Sequence, residues 1–207
     1  MATQLDVVNQ CLAIMGEAPL NTLLEEHAFK SSALQILTRN DTNASAEGWW
    51  FNTERITLTV NPTDSRIYLP GDTSTVRMID NEPWLVQRGR VLYDTQNGTD
   101  IFPANSSFKA ELIRKVPFED TPVNYNAYVA RKTVWDFQQE YDGDQTKTRN
   151  LQMEVMGAPA SAYSNGSLGL YGVLKAEHIR ATRVNFILQS ERLSRITNTV
   201  NYSRRPR

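Results

Sequence analysis

Apolar residues recur along this chain with two different periods, and the change between them divides it. From about Thr3 to Met15 the helical period holds: Leu5, Val8, Leu12 and Met15 make one stripe, and Val7, Cys11 and Ile14 a second beside it. Thr3 with Asp6 three residues on fits a capping box, and Gly16 and Pro19 end the helix. Thr22-Leu23-Leu24-Glu25 offers another capping box, yet the clearer period begins near Ala28, with Ala33, Ile36, Leu37 and Ala44 on the buried face. Then the period shortens to two. Ile56, Leu58 and Val60 alternate with Arg55, Thr57 and Thr59, as a strand with one wet face requires. Beyond the turn Asn61-Pro62-Thr63-Asp64-Ser65, Ile67 and Leu69 resume the alternation, and a further strand is predicted at Val76–Ile79. Trp84-Leu85-Val86 and Val91-Leu92-Tyr93 flank Arg88-Gly89 as a hairpin, and Phe108, Ala110 and Leu112 alternate on a last strand ending near Val116.

The helical period then returns. Thr121-Pro122 reads as a helix start, a capping hydroxyl followed by proline at the first helical position. Ala127, Ala130, Val134, Phe137 and Tyr141 fall on one stripe, and Tyr125, Tyr128 and Trp135 on another, closed by Asp142-Gly143-Asp144. Gln145 to Met156 forms a shorter helix ending at Gly157-Ala158-Pro159, and Ala160 to Gly172, rich in Ser, Gly and Ala, reads as a loop. From about Tyr171 to Ile196 a long helix is expected. Its apolar residues, among them Ile179, Val184, Phe186, Leu188 and Ile196, are not confined to one stripe, and its own domain alone does not satisfy it. It reads as a partner-docking helix.

Where the two periods meet lies Glu47-Gly48-Trp49-Trp50-Phe51-Asn52. Gly48 suits a left-handed C-cap, and three successive aromatics bury enough area to pin helices to strands. Gly48, Trp49, Trp50 and Phe51 are therefore expected to form a structural hinge with no chemistry of its own. The fold class is α+β: a helical bundle (1–50 plus 119–170), an inserted antiparallel β module (51–118), and a C-terminal basic helix and tail (171–207).

Composition changes this picture in one respect. The 207 residues are 40% hydrophobic and 22% charged, an ordinary globular balance, and no apolar run approaches a membrane span. The start Met1-Ala2-Thr3-Gln4-Leu5-Asp6 lacks the basic and apolar regions of a signal peptide. The net charge of −1, however, hides a split: residues 175–207 carry eight Lys/Arg against Glu177 and Glu191, leaving the remainder strongly acidic. A basic arm on an acidic body points to an anionic partner, protein or nucleic acid. Arg180, Arg183, Arg192, Arg195, Arg204, Arg205 and Arg207 are the candidate partner-binding residues, and the tail Asn201–Arg207 is expected to be held by another chain.

Catalytic kits are absent. A lone Cys11 on an apolar face reads as a buried thiol, and Cys11 with His27 and His178 falls short of any zinc constellation. Two isolated histidines, each read as surface or interface, support no Ser/His/Asp or Cys/His arrangement. Gly166-Ser167-Leu168-Gly169 lacks the Lys and the strand context of a phosphate loop. Glu140, Asp142 and Asp144 lack the ligand spacing of an EF-hand, and Glu25/Glu26 and Glu119/Asp120 sit at helix starts, where they favour the helix dipole. No catalytic residue, cofactor or metal is expected, although a glycosidase-type carboxylate pair far apart in the chain would leave no motif.

Several short passages in order resemble the tail tubular protein A family of short-tailed, podovirus-type phages. Asp6-Val7-Val8-Asn9 through Ile14-Met15-Gly16-Glu17-Ala18-Pro19 is similar to the family's opening helix and its exit. Gly48-Trp49-Trp50-Phe51-Asn52 followed by Ile56-Thr57-Leu58 resembles its hinge, Arg88-Gly89-Arg90-Val91-Leu92-Tyr93-Asp94 its central hairpin, and Ile113-Arg114 to Phe137 its third helix. The likeness covers roughly residues 5–140, and the chain departs from it after Asp142, where a basic stretch replaces an acidic one.

The resemblance implies a non-enzymatic head-to-tail adaptor, or gatekeeper, made in the host cytoplasm and located in the virion tail. Such proteins form a dodecameric ring between the capsid portal and the nozzle of tail tubular protein B; tail fibres attach near the joint and genomic DNA passes through. The helices would form the ring wall, the β module would reach toward the nozzle, and the C-terminal arm would pair its arginines with portal carboxylates. The acidic remainder would suit a channel wall that repels DNA phosphate. One alternative is a nucleic-acid-binding module that grips phosphates with the basic arm; another, which no residue constellation supports, is a tail-associated cell-wall hydrolase.

Overall fold

In the computed structural model, residues 1–80, 82–158 and 166–183 are described. Helix α1 spans Gln4–Met15, with both halves of the capping box present: the Thr3 hydroxyl accepts from the Asp6 amide and the Asp6 carboxylate accepts from the Thr3 amide. Gly16 ends it in the left-handed conformation, φ +76°. Helix α2 spans Lys30–Ser45. The expected box at Thr22–Glu25 does not start it. Glu25 does accept from the amides of Asn21 and Thr22, both at 3.0 Å. Yet Leu24 is exposed and only Leu23 packs on the helical core, one contact rather than a stripe, and His27 Nδ1 takes the Phe29 amide at 3.2 Å.

Strand β1 (Thr53–Thr59), β2 (Thr73–Met78), β3 (Leu85–Arg88), β4 (Val91–Asp94) and β5 (Ser107–Arg114) follow. The last strand is central: an antiparallel sheet runs β1–β5–β2, and β3–β4 is a separate hairpin. Register runs from Thr53 opposite Ile113 to Thr59 opposite Ser107, with a bulge at Thr73/Thr75 on the other edge. Gly89, at φ +60°, occupies the first of the two turn positions between β3 and β4. A Gly-first two-residue turn follows the twist of a tight hairpin, and it lies one residue later than the sequence suggests. Ile67 and Leu69 are buried as expected but belong to no named strand. Pro70 cuts that stretch short, leaving local backbone bonds from Leu69 to Arg90 and from Leu92 to Ile67.

Helix α3 spans Val123–Tyr141 and packs on α1, on α2 and on α4 (Gln145–Met156), which makes it the centre of the helical part. Its start differs from expectation. Pro122 is the N-cap, and the Thr121 hydroxyl donates to the Phe118 carbonyl at 2.6 Å, closing the 3-10 turn Phe118–Asp120 instead of capping α3. Asp144, counted with the end of α3, caps α4 by accepting from the amides of Thr146 and Lys147.

Among the described residues three apolar clusters form the core. One gathers Val8, Cys11, Leu12, Ile36, Val134, Phe137 and Leu151; a second gathers Val7, Leu37, Trp49, Tyr125, Val129, Val155 and Leu174. A third lies in the β part around Leu58, Ile67, Leu92, Phe102, Ala110 and Leu112. Residues 169–183 form a further helix, α5, beginning two residues before the expected Tyr171 and inside the predicted loop. The long C-terminal helix is thus described only as far as 183. The rest of its predicted span to Ile196, and the tail, lie outside the described residues.

Candidate functional site

No chemical centre emerges among the described residues: no group of three or more His, Cys, Asp and Glu could hold a metal ion, and no helix is long and apolar enough to cross a membrane. The features that bear on assembly are the joint between α2 and β1, and α5, which lies upon it.

The joint is built by side chains bonding to backbone. Gly48 adopts φ +77°, and a Cβ there would stand 2.9 Å from the Ile113 Cδ1 of β5. The Trp49 ring is buried at 2% exposure, and its Nε1–H donates to the Ala44 carbonyl at 2.7 Å, satisfying the end of α2. Asn52 accepts the Trp49 amide at 2.7 Å and donates to the carbonyls of Ser45 at 2.9 Å and Arg114 at 3.2 Å. The Arg114 amide in turn donates to the Asn52 carbonyl at 2.7 Å. One asparagine therefore ties the last turn of α2 to the end of β5. Phe51 meets Tyr125 edge-on at 5.1 Å, and Trp50 meets Phe51 at 5.4 Å, extending the aromatic packing onto α3.

Helix α5 covers this aromatic ground. Leu174 is completely buried, Tyr171 packs on Tyr128 at 5.1 Å, and the His178 ring stands edge-on to Trp49 at 5.5 Å. Glu47 accepts from both the Tyr171 hydroxyl and the Lys175 ammonium at 3.1 Å. The Lys175 pKa is raised, first by its bond with Tyr171 and then by Glu47, so the ammonium is held charged. That ammonium lies 5.3 Å from the Trp49 ring centre and 5.0 Å from that of Tyr171. Glu177 accepts from Asn124 of α3 at 2.6 Å, anchoring the middle of α5. Burial, followed by the charge on Glu47, pushes the Tyr128 hydroxyl up to about 12.

The chain enters α5 through a close crossing. A Cβ on Gly157 would meet the Ser167 carbonyl oxygen at 2.0 Å, and one on Gly169 would meet the Gly157 nitrogen at 2.2 Å. Both glycines have positive φ, and the Ser167 amide donates to the Ala158 carbonyl at 3.0 Å. Only glycine allows two backbones to pass this closely.

Of the predicted partner-binding residues, Arg180 and Arg183 lie exposed on α5, while Arg192, Arg195, Arg204, Arg205 and Arg207 lie outside the described residues. The joint residues Gly48, Trp49, Trp50 and Phe51 are brought together, and Asn52, whose bonds tie the joint, gives no sequence signal beyond its place after them. The helix expected to dock a partner differs from expectation in one way: the inner face of α5 is satisfied by its own body. Apolar periodicity missed a layer of buried polar residues. Asn126 accepts the Ala2 amide at 2.7 Å and donates to the carbonyls of Ala2 and Phe118. Tyr125 donates its hydroxyl to Asp41, and burial raises the Asp41 carboxyl above its ordinary range. His27, read as surface or interface, is half-buried, its Nε2 lying 3.9 Å from Glu17.

No curated protein matches the chain. The family model described as "Tube: Tail tubular protein" matches residues 5–161, which include both sides of the α2–β1 joint, the whole β part, helices α2 to α4 and all of α1 but its first residue. With more than half of its length so matched, the chain belongs to the tail tubular protein family and is a structural protein of the phage tail.

Proposed function

We propose that the chain is a ring-forming adaptor, of twelve copies, that joins the capsid portal to the tail nozzle and encloses the path of the genomic DNA. The observation that carries this reading is the tail tubular family match over residues 5–161. Closing such a ring requires two different lateral faces that complement one another around the axis. The α2–β1 joint acts as the hinge that holds the helical ring wall against a β part directed at the nozzle, with tail fibres near that level. Arg180 and Arg183, together with Arg192, Arg195, Arg204, Arg205 and Arg207, supply guanidinium groups for portal carboxylates. Imaging the purified full-length chain with and without portal rings tests the reading. Rings that stack coaxially on the portal are expected; a chain that stays monomeric and leaves the portal bare would overturn it.

The exposure of Arg180 and Arg183 favours one second reading, a nucleic-acid-binding arm. A mobility-shift titration on duplex DNA at two salt concentrations separates the two. Tight binding by the isolated chain that collapses with salt would favour the second reading.

A further inference from the structure

Helix α5 is amphipathic in a way that its own body does not use up. At 3.6 residues per turn, Leu170, Tyr171, Leu174 and His178 fall on the inner face, and all four are buried or half-buried. The opposite face carries Val173, Ile179, Arg180 and Arg183, all exposed, with Val173 aligned to Arg180 and Ile179 to Arg183. Leu168 opens this face at 66% exposure, and Ile179 remains 47% exposed.

The apolar surface continues onto α4. The Gly157/Gly169 crossing sets the end of α4 directly beside residues 167–169, so Met156, 48% exposed, lies next to Leu168, and Met153 lies one turn back along α4. Methionines at an exposed apolar surface adapt readily to a partner's side chains. The result is an apolar strip along α4 and α5 with two guanidinium groups at its far end. All of α5 lies beyond residues 5–161, so the strip is completed by a part of the chain outside the family match.

We infer that this outer face docks an amphipathic, acidic helix of another virion protein, with apolar side chains between Leu168, Met156, Val173 and Ile179 and carboxylates on Arg180 and Arg183. Three physical arguments select that occupant. DNA would use the two arginines but leave four exposed apolar side chains without a function. The same face of a second copy would bring two further arginines and no carboxylate on that face to pair with them. A helix laid along a helix-lined strip buries the apolar residues at i, i+3, i+4 and i+7 spacing, and carboxylates at its end meet the guanidinium groups bidentately. The inference rests on the adaptor reading and deepens it by naming the chemistry of one partner.

A photo-crosslinking residue placed at Val173 or at Ile179 in the full-length chain, within assembled particles, tests it. The expected product joins the chain to an acid-rich helical segment of a different virion protein, identified by mass spectrometry. R180E/R183E should cut incorporation into tails by at least about tenfold. Its thermal midpoint should remain unchanged, because both side chains are exposed. Cross-links to DNA, to a second copy, or to residues 184–207 of the same chain would overturn the inference, as would particles that hold the chain but give no cross-link. Particles that lack the chain altogether would instead overturn the adaptor reading.

Discussion

Single residues fix the geometry of the joint, and the least conspicuous of them does most. Asn52 bonds to α2, to the Trp49 amide and to β5 from a position 1% exposed. Asn52→Ala should leave those buried groups without partners and cost about 2–4 kcal/mol, read as a lower midpoint in urea denaturation. Asp41 gives a pH signature. Burial raises its folded pKa above the ordinary 3.8, against the lowering effect of its bond from Tyr125. As pH rises from about 3.8, the unfolded chain loses this proton first, so the native state binds more protons and stability falls. Asp72 and Asp142, each lowered by a bonded cation, act in the opposite sense and lose their contribution as pH falls below 3.8. Asp41→Asn should therefore reduce the decline above pH 3.8 while leaving the acid limb unchanged, which thermal midpoints for both proteins from pH 3 to pH 7 would reveal. Cys11 is buried, and burial pushes its thiol up to about 12. A thiol reagent at neutral pH should label it only once denaturant unfolds α1.

At the scale of elements, helices with capping signals and a clear stripe were legible. Helix α1 has the boundaries and box that Thr3, Asp6 and Gly16 imply, and α4 ends where Gly157 predicts. The failures have local causes. Thr121 and Thr22–Glu25 carry the right cap residues, but the Thr121 hydroxyl is claimed by the carbonyl three residues before it, and the second turn packs Leu23 alone rather than a stripe. Asn126, Thr133 and Gln138 interrupt the apolar period of α3 because their side chains have polar partners, none of which a hydropathy pattern encodes. Asn126 donates to the Phe118 carbonyl, Thr133 donates to Val129 of its own helix and accepts from Asn40 of α2, and Gln138 donates to the Asp144 carbonyl and accepts from Thr148 of α4. The docking of α5 was equally hidden, since the Gly157/Gly169 crossing joins residues twelve apart through backbone alone. Gly169→Ala should force that crossing apart and release α5. The expected readouts are a red shift of tryptophan emission as Trp49 and Trp50 gain water, and faster proteolysis after residue 166. Leu174→Ala should loosen the same helix more mildly, at a cost of about 2–5 kcal/mol if α5 stays docked.

For the whole molecule, membership of the tail tubular family assigns the chain to the phage tail, and its charge adds a directional property. Residues 1–174 are acidic while 175–207 are basic, so each copy carries a dipole of formal charge along its sequence. In the proposed ring every copy has one orientation, which sets Arg180 and Arg183 of all copies at one level. Attachment of assembled rings to the portal should therefore weaken more steeply with added salt than attachment of a single copy, a difference measurable by sedimentation at two ionic strengths.

The crossing at Gly157 and Gly169 also sets a kinetic condition on the aromatic ground beneath α5. Because only seven residues separate Ala158 from Gly166 in the sequence, a released α5 stays tethered near its seat, at a local abundance of about millimolar. A rival for the Trp49 and Tyr128 surface must outbid an occupant that never diffuses away. Only an invader presented in many linked copies holds that ground for long.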